Sequence, residues 1–310
     1  MLPSKDYKLI LALATVAIVW GTTYLGIKIA VESIPPWFVT GIRQSIASVF
    51  LLLILLYRKE LKWIGWKNCK TQMILSSLMI VIANGMTTIA EKQITSSLTS
   101  FLTATSPIIV FIASVVFKLQ KFSIKSLVGV LLGFLGVIII FWDGLQDLLK
   151  PDYRWGVFAL FVGILGWASG TVYTKMITVN SENILLNLLY QFGFSAVVQL
   201  IFAFVFSESY NINSWTFESF VAVVYLGIFG SVITYFAFLY ALKKVSPTQI
   251  SILNYINTII AIFLGWLVLD EKITAKFIFA AVLIISGVFI TNYKKGMFRR
   301  SKAYIENKKS

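Results

Sequence analysis

The sequence has no histidine and a single cysteine, Cys69, among 310 residues. The first absence removes the commonest metal ligand and the usual general base near neutral pH; the second leaves no partner for a disulfide within the chain. Metal chemistry and histidine-dependent hydrolysis are disfavoured, and no cofactor or metal site is expected. Charge is also scarce. Only 13% of residues are charged, against roughly 25% in soluble domains. The chain carries no G-x-x-x-x-G-K-[ST] phosphate loop, so ATP is not expected to drive it directly.

What fills the chain instead is apolar: 58% of residues are hydrophobic. A bilayer core ~30 Å thick needs about 20 such residues per helical crossing. The apolar runs predict ten spans: Leu9 to Ala30, Trp37 to Tyr57, Thr71 to Ala90, Thr95 to Phe117, Ser123 to Trp142, Trp155 to Thr178, Ile184 to Phe206, Thr216 to Leu242, Pro247 to Leu269 and Thr274 to Asn292. Lys5 and Lys8 are too few, and Ala12 and Ala14 too early, for a cleaved signal, so the first span is expected to be retained.

A net charge of +14 invites a nucleic-acid reading, but the basic residues fall in alternate loops. Placing the N-terminus inside puts twenty of the 27 lysines and arginines in the cytoplasm, as the positive-inside rule requires. Both termini are then cytoplasmic and no nucleic acid is implied. The expected location is the inner (plasma) membrane.

The chain is internally duplicated. At a constant offset of 151, twelve residues between Ala90 and Ile139 recur between Ala241 and Ile290, among them Lys92/Lys243, Ser100/Ser251, Lys121/Lys272 and Gly136/Gly287. Five spans per copy is an odd number, so the second copy enters the membrane in the opposite direction. The turn Lys118-Leu119-Gln120-Lys121 is basic and expected inside, whereas its counterpart Leu269-Asp270-Glu271-Lys272 is acidified and expected outside. The expectation is an all-α integral membrane protein with ten transmembrane helices, arranged as two inverted five-helix repeats around a central cavity. The parts are an N-terminal tail (1–8), a first repeat (9–142), an extracytoplasmic linker (143–154), a second repeat (155–292) and a basic cytoplasmic tail (293–310).

Trp20-Gly21-Thr22-Thr23-Tyr24 with Lys28, Pro35-Pro36, Arg43, Asn84-Gly85 running into Ala90-Glu91-Lys92, Pro107, and Leu269-Asp270-Glu271-Lys272 follow one another along the chain. In order and spacing this series resembles the EamA-type members of the drug/metabolite transporter superfamily. The resemblance implies ten helices, both termini inside, a cavity between inverted halves, and export of small metabolites, often amino acids or toxic compounds. Thr258 stands where the first half has Pro107, and Leu242 where it has Glu91, so the two halves depart from strict symmetry at these positions.

Trp20 and Trp167 fall at mid-depth of corresponding spans, where tryptophan needs a reason, since it usually sits at the interfaces. At steps of four, Trp20, Tyr24 and Lys28 share one helix face, as do Trp167, Thr171 and Lys175. These faces read as cavity-lining stripes, or as packing with lysines reaching opposite surfaces. Trp20, Thr23, Tyr24, Asn84, Trp167, Thr171, Tyr235, Asn254 and Tyr255 are the candidate substrate contacts. Lys28, Arg43 and Glu91 form a candidate gating or coupling network at the outer mouth, with Glu91 the candidate proton carrier. Gly129/Gly133 and Gly166/Gly170 are small-xxx-small packing pairs. The expected partners are a small-molecule substrate and the lipid bilayer, with anionic lipid at the basic tail; oligomeric state is left open. A secondary transporter is the reading these features favour, ahead of a membrane scaffold or an intramembrane enzyme.

Overall fold

The structure is a computed structural model that describes residues 6–142, 150–177, 183–207, 211–269 and 275–292. The turn around Asp270 and Glu271, most of the linker and the basic tail from residue 293 lie outside the described residues. Helices make up the described secondary structure, and no strand occurs among the described residues. Among the described residues, eight stretches are long and apolar enough to cross a membrane. They match the first eight expected spans; the helices Leu253–Leu269 and Ala275–Asn292 stand where the ninth and tenth are expected.

The first half begins with α1 (Tyr7–Ser33), whose N-terminus is capped by Asp6: its Oδ1 accepts from the Leu9 N–H at 3.1 Å. Pro35-Pro36 ends it, because the residue before a proline is pushed out of helical geometry, and Pro36 then opens α2 (Pro36–Tyr57). α3 (Trp66–Gln93) starts five residues before the expected span. The fourth span is broken into α4 (Ser96–Thr103) and α5 (Ser106–Val116). Pro107 explains the break, since it has no N–H to donate and its ring crowds the carbonyl of Thr103. α6 (Ile124–Phe141) closes the half.

The second half repeats the order: α7 (Arg154–Ile177), α8 (Ile184–Phe206), α9 (Phe217–Lys244), α10 (Pro247–Ser251), α11 (Leu253–Leu269) and α12 (Ala275–Asn292). The break between α10 and α11 falls at Ile252 without a proline there. It follows a capping box in which Ser246 and Gln249 satisfy each other's backbone N–H.

α3 and α9 share a feature that no residue pattern announces. Both widen into π-helix at mid-length, over Ser77–Ile82 and Leu226–Ile233. At the offset of 151, the first segment maps within the second. Such wide turns displace backbone hydrogen bonds and recur at functional sites.

Phe158, Phe161 and Leu165 of α7 and Val197, Ile201, Phe204 and Val205 of α8 stand exposed on the outer surface, as helices facing lipid require. Helix packing depends on close approach. A Cβ added to Gly129 would lie 2.6 Å from the Gly287 carbonyl, and one added to Gly133 2.4 Å from the Tyr255 ring. α6 and α12, the last helices of the two halves, therefore meet backbone to backbone.

Candidate functional site

Trp20 is the fourteenth residue of α1 and Trp167 the fourteenth of α7, so each lies near the middle of its helix. The two indoles meet edge to face with ring centroids 4.9 Å apart. Phe238 packs against both, at 5.4 and 5.1 Å, and Tyr235 sits 5.7 Å from Trp20 and 5.6 Å from Phe192. These five rings form an apolar plug with a cavity on each side.

On one side is a central cavity of about 100 Å³. Trp20, Thr23, Tyr24, Asn84, Trp167 and Asn254, all expected as substrate contacts, line it. Arg43 lines it too. Pockets for drug-sized ligands run to roughly 300–1,000 Å³, so the cavity as it stands is small for a ligand of that size. On the other side is a vestibule of about 700 Å³, bordered by Leu75, Gln191 and Leu239 next to the plug and by Lys62, Lys67 and Lys243 at its mouth. The plug separates the two spaces.

The wide turns hold the plug in place. In each, a carbonyl is taken by an aromatic donor from the other half of the chain. Trp20 Nε1 donates to Gly230 O at 3.2 Å, and Tyr235 OH donates to Met79 O at 3.0 Å. Met79 and Gly230 are themselves repeat partners at the offset of 151, so the bonds form a reciprocal cross-brace. Asn84 and Tyr235, also partners at that offset, touch directly: Asn84 Nδ2 donates to Tyr235 OH at 3.2 Å. Gln199 Nε2 takes a further wide-turn carbonyl, that of Ile80, at 3.0 Å.

Other expected site residues lie elsewhere. Thr171 is fully buried and Tyr235 is buried beneath the cavity lining. Tyr255 turns away, donating to Val130 O at 3.0 Å and packing on Gly133. The lysines at the ends of the two stripes are helix caps. Lys28 Nζ donates to the carbonyls of Glu91 and Ile94 at 2.9 and 3.4 Å, and Lys175 Nζ to those of Leu242 and Val245 at 2.6 and 2.9 Å. Glu91 and Ile94 become Leu242 and Val245 at the offset of 151, so each half fastens its first helix to the end of its third in the same way. Cations at a helix C-terminus also meet the negative end of its dipole.

Arg43 and Glu91 are the two buried charged side chains among the described residues. Arg43 turns toward α9, where its Nε donates to Ser231 Oγ at 2.8 Å and a Cβ on Gly230 would sit 3.2 Å from its Nη2. Glu91 lies near the C-terminal end of α3, and its backbone oxygen receives Lys28. Thr87, Thr103, Ser106 and Asn257, not among the expected contacts, also line the cavity. Thr87 follows Asn84 by one helical turn, and Thr103 and Ser106 flank the break at Pro107; both were available signals. Tyr24 OH bonds Thr103 Oγ1 at 2.9 Å, tying α1 to that break.

Fold and site define a multi-pass helical membrane protein, with a partly polar cavity between two repeated halves. The model of the EamA-like transporter family matches residues 7–142 and again residues 154–293, so the chain belongs to that family and is a membrane transporter. It is 29% identical to the uncharacterized inner membrane transporter YedA of Escherichia coli K12, over 287 residues covering 90% of this chain and 91% of that protein. It is 27% identical to the uncharacterized transporter YoaV of Bacillus subtilis 168, covering 92% and 97%. A solved crystal structure shares the fold with a TM-score of 0.74 at 16% identity, covering 92% of this chain and 96% of the other. Family and relatives are transporters rather than enzymes.

Proposed function

We propose that this transporter is a secondary carrier. In this reading ten helices, arranged as two inverted five-helix repeats with both termini in the cytoplasm, export small metabolites across the inner membrane by alternating access. Amino acids and related amphipathic compounds suit a cavity walled by tryptophan, tyrosine and asparagine. The observation that carries the reading is the aromatic plug: it lies between a mid-depth polar cavity and a vestibule bordered by Lys62, Lys67 and Lys243. A carrier needs such a partition, which opens on one side while the other closes, whereas a scaffold has no use for one. The cross-brace between Trp20, Gly230, Met79 and Tyr235 holds the inner side shut in this state. Glu91, fully buried, is assigned to proton coupling, and anionic lipid to the basic tail.

Direction and coupling are tested together in everted membrane vesicles, whose cytoplasmic face is outward. Export predicts that a radiolabelled amino-acid pool accumulates in vesicles containing the protein and not in vesicles lacking it. Coupling predicts that collapsing the pH gradient, or Glu91→Gln, abolishes the accumulation. Uptake that ignores both removes the proton assignment; no uptake removes export of the pool.

A further inference from the structure

We propose that the central cavity selects a solute bearing a single carboxylate, and that Arg43 is the residue that recognises it. The proposal rests on the carrier reading and names its substrate class.

Arg43 is the one charged side chain lining the cavity, and no carboxylate lines it, among the described residues. Its exposure is 3%. A buried cation in a membrane bundle normally pairs with another protein group, and here it faces a space. Its side chain makes one hydrogen bond within the described protein, from Nε to Ser231 Oγ. That bond fixes the plane of the guanidinium and leaves the Nη donors for something else. A planar fork of N–H groups matches a carboxylate with two parallel hydrogen bonds.

A second group on the wall is unspent. The Ser106 hydroxyl is 2% exposed, lines the same cavity and has no hydrogen-bond partner. A buried hydroxyl left without a partner is disfavoured, and a bound carboxylate or its neighbouring polar group would complete it. Lys28 and Lys175 do not compete for the anion, because both are engaged by helix-end carbonyls.

Charge limits the ligand further. One cation neutralises one negative charge; a phosphate dianion would leave a net charge buried beside apolar rings, which is far costlier. The flat surfaces of Trp20 and Trp167 suit an apolar remainder. The approach agrees in sign: Lys62 and Lys67 border the vestibule, and no carboxylate lines it among the described residues. A path lined by one sign of charge concentrates the opposite ion.

The test uses the full-length protein in nanodiscs and matched probes of nearly equal shape: phenylacetate with phenylacetamide, and hexanoate with hexanamide. Binding is followed by intrinsic tryptophan fluorescence. The expected result is that at least one acid binds ~10-fold or more tightly than its amide, as a charge-assisted pair would. In Arg43→Gln the ratio should collapse to about 1–3, and Arg43→Lys, which keeps charge but not the fork, should fall between. Arg58→Gln, at an exposed loop, should leave the ratio unchanged. If Arg43→Gln does not fold, the wild-type acid-to-amide ratio still decides. Equal binding of acid and amide, a preference that survives Arg43→Gln, or no binding by any probe overturns the proposal. Counterflow in liposomes keeps the two readings apart. Acids that bind and are not moved sink the carrier reading; movement of neutral or cationic solutes alone leaves the carrier and sinks the carboxylate assignment.

Discussion

Replacing Tyr235 with phenylalanine removes one oxygen and leaves the ring in its aromatic cluster. That hydroxyl donates to Met79 O at 3.0 Å and accepts from Asn84 Nδ2 at 3.2 Å, on a side chain 1% exposed. Both partners lose their bond, and Met79 is itself 1% exposed. In soluble cores each buried group left unsatisfied costs ~1–3 kcal/mol. Interhelical bonds inside membrane proteins average ~0.6 kcal/mol with a maximum near 1.7, because the unfolded reference in lipid also finds partners. Two bonds therefore sum to about 1–3 kcal/mol, a factor of roughly 5–150 in an equilibrium. Reversible unfolding of Tyr235→Phe against wild type measures the loss directly. Tyr240→Phe is the control, since its hydroxyl bonds Lys244 at an exposed site, and it should change stability by less than ~0.5 kcal/mol. A double-mutant cycle with Asn84→Ala should return a coupling of at least ~0.5 kcal/mol. Tyr235→Phe protein as stable as wild type, with zero coupling to Asn84, would refute the cross-brace.

Lys28→Met and Lys175→Met each strip two helix-end carbonyls of their donor; each should lower stability by about 1 kcal/mol in the same unfolding assay, and equal losses would reflect the repeat. Gly129→Ala places a Cβ 2.1 Å from Thr291 Oγ1 and 2.6 Å from the Gly287 carbonyl; the backbone must shift, at ~1–3 kcal/mol, read as a lowered Tm. Asp6 bonds Lys244 at 2.5 Å and caps α1. The Lys244 hydrogen bond, then that from the Leu9 N–H, lowers its pKa below the ordinary 3.8. Its contribution to stability is thus present above pH 3.8 and is lost as pH falls through the lowered value. Asp6→Asn should flatten that acid limb between pH 2 and 5, and added salt should weaken it in wild type because the pair is exposed.

The apolar spans were legible because every lipid crossing must be long and uncharged, and the duplication because the offset of 151 needs no gap. The mid-depth tryptophans were legible for the same reason: an indole N–H in hydrocarbon demands a partner, and Gly230 O supplies it for Trp20. The wide turns were hidden. A π segment redirects hydrogen bonds already present, and Ser77–Ile82 contains nothing that separates it from ordinary apolar helix. Tyr255 was misplaced because a tyrosine near mid-span reads alike whether its hydroxyl meets a cavity or, as here, the Val130 carbonyl. Arg43 was expected beside Glu91 on charge and depth; its contact with Ser231 depends on where α9 crosses α2, which only tertiary packing decides. Lys28 and Lys175 were recognised as a pair, but their acceptors are backbone oxygens and leave no mark in the side-chain pattern.

The central claim is that a solute is carried through the space beside Trp20 and Trp167. Counterflow in proteoliposomes preloaded with a mixed pool of amino acids and small carboxylates tests it, with wild type and Trp20→Ala protein compared at equal folded amounts. The expected result is accelerated exchange of at least one solute by wild type and its loss in Trp20→Ala. Exchange that is undiminished in the variant would remove the cavity from the transport path and contradict the account.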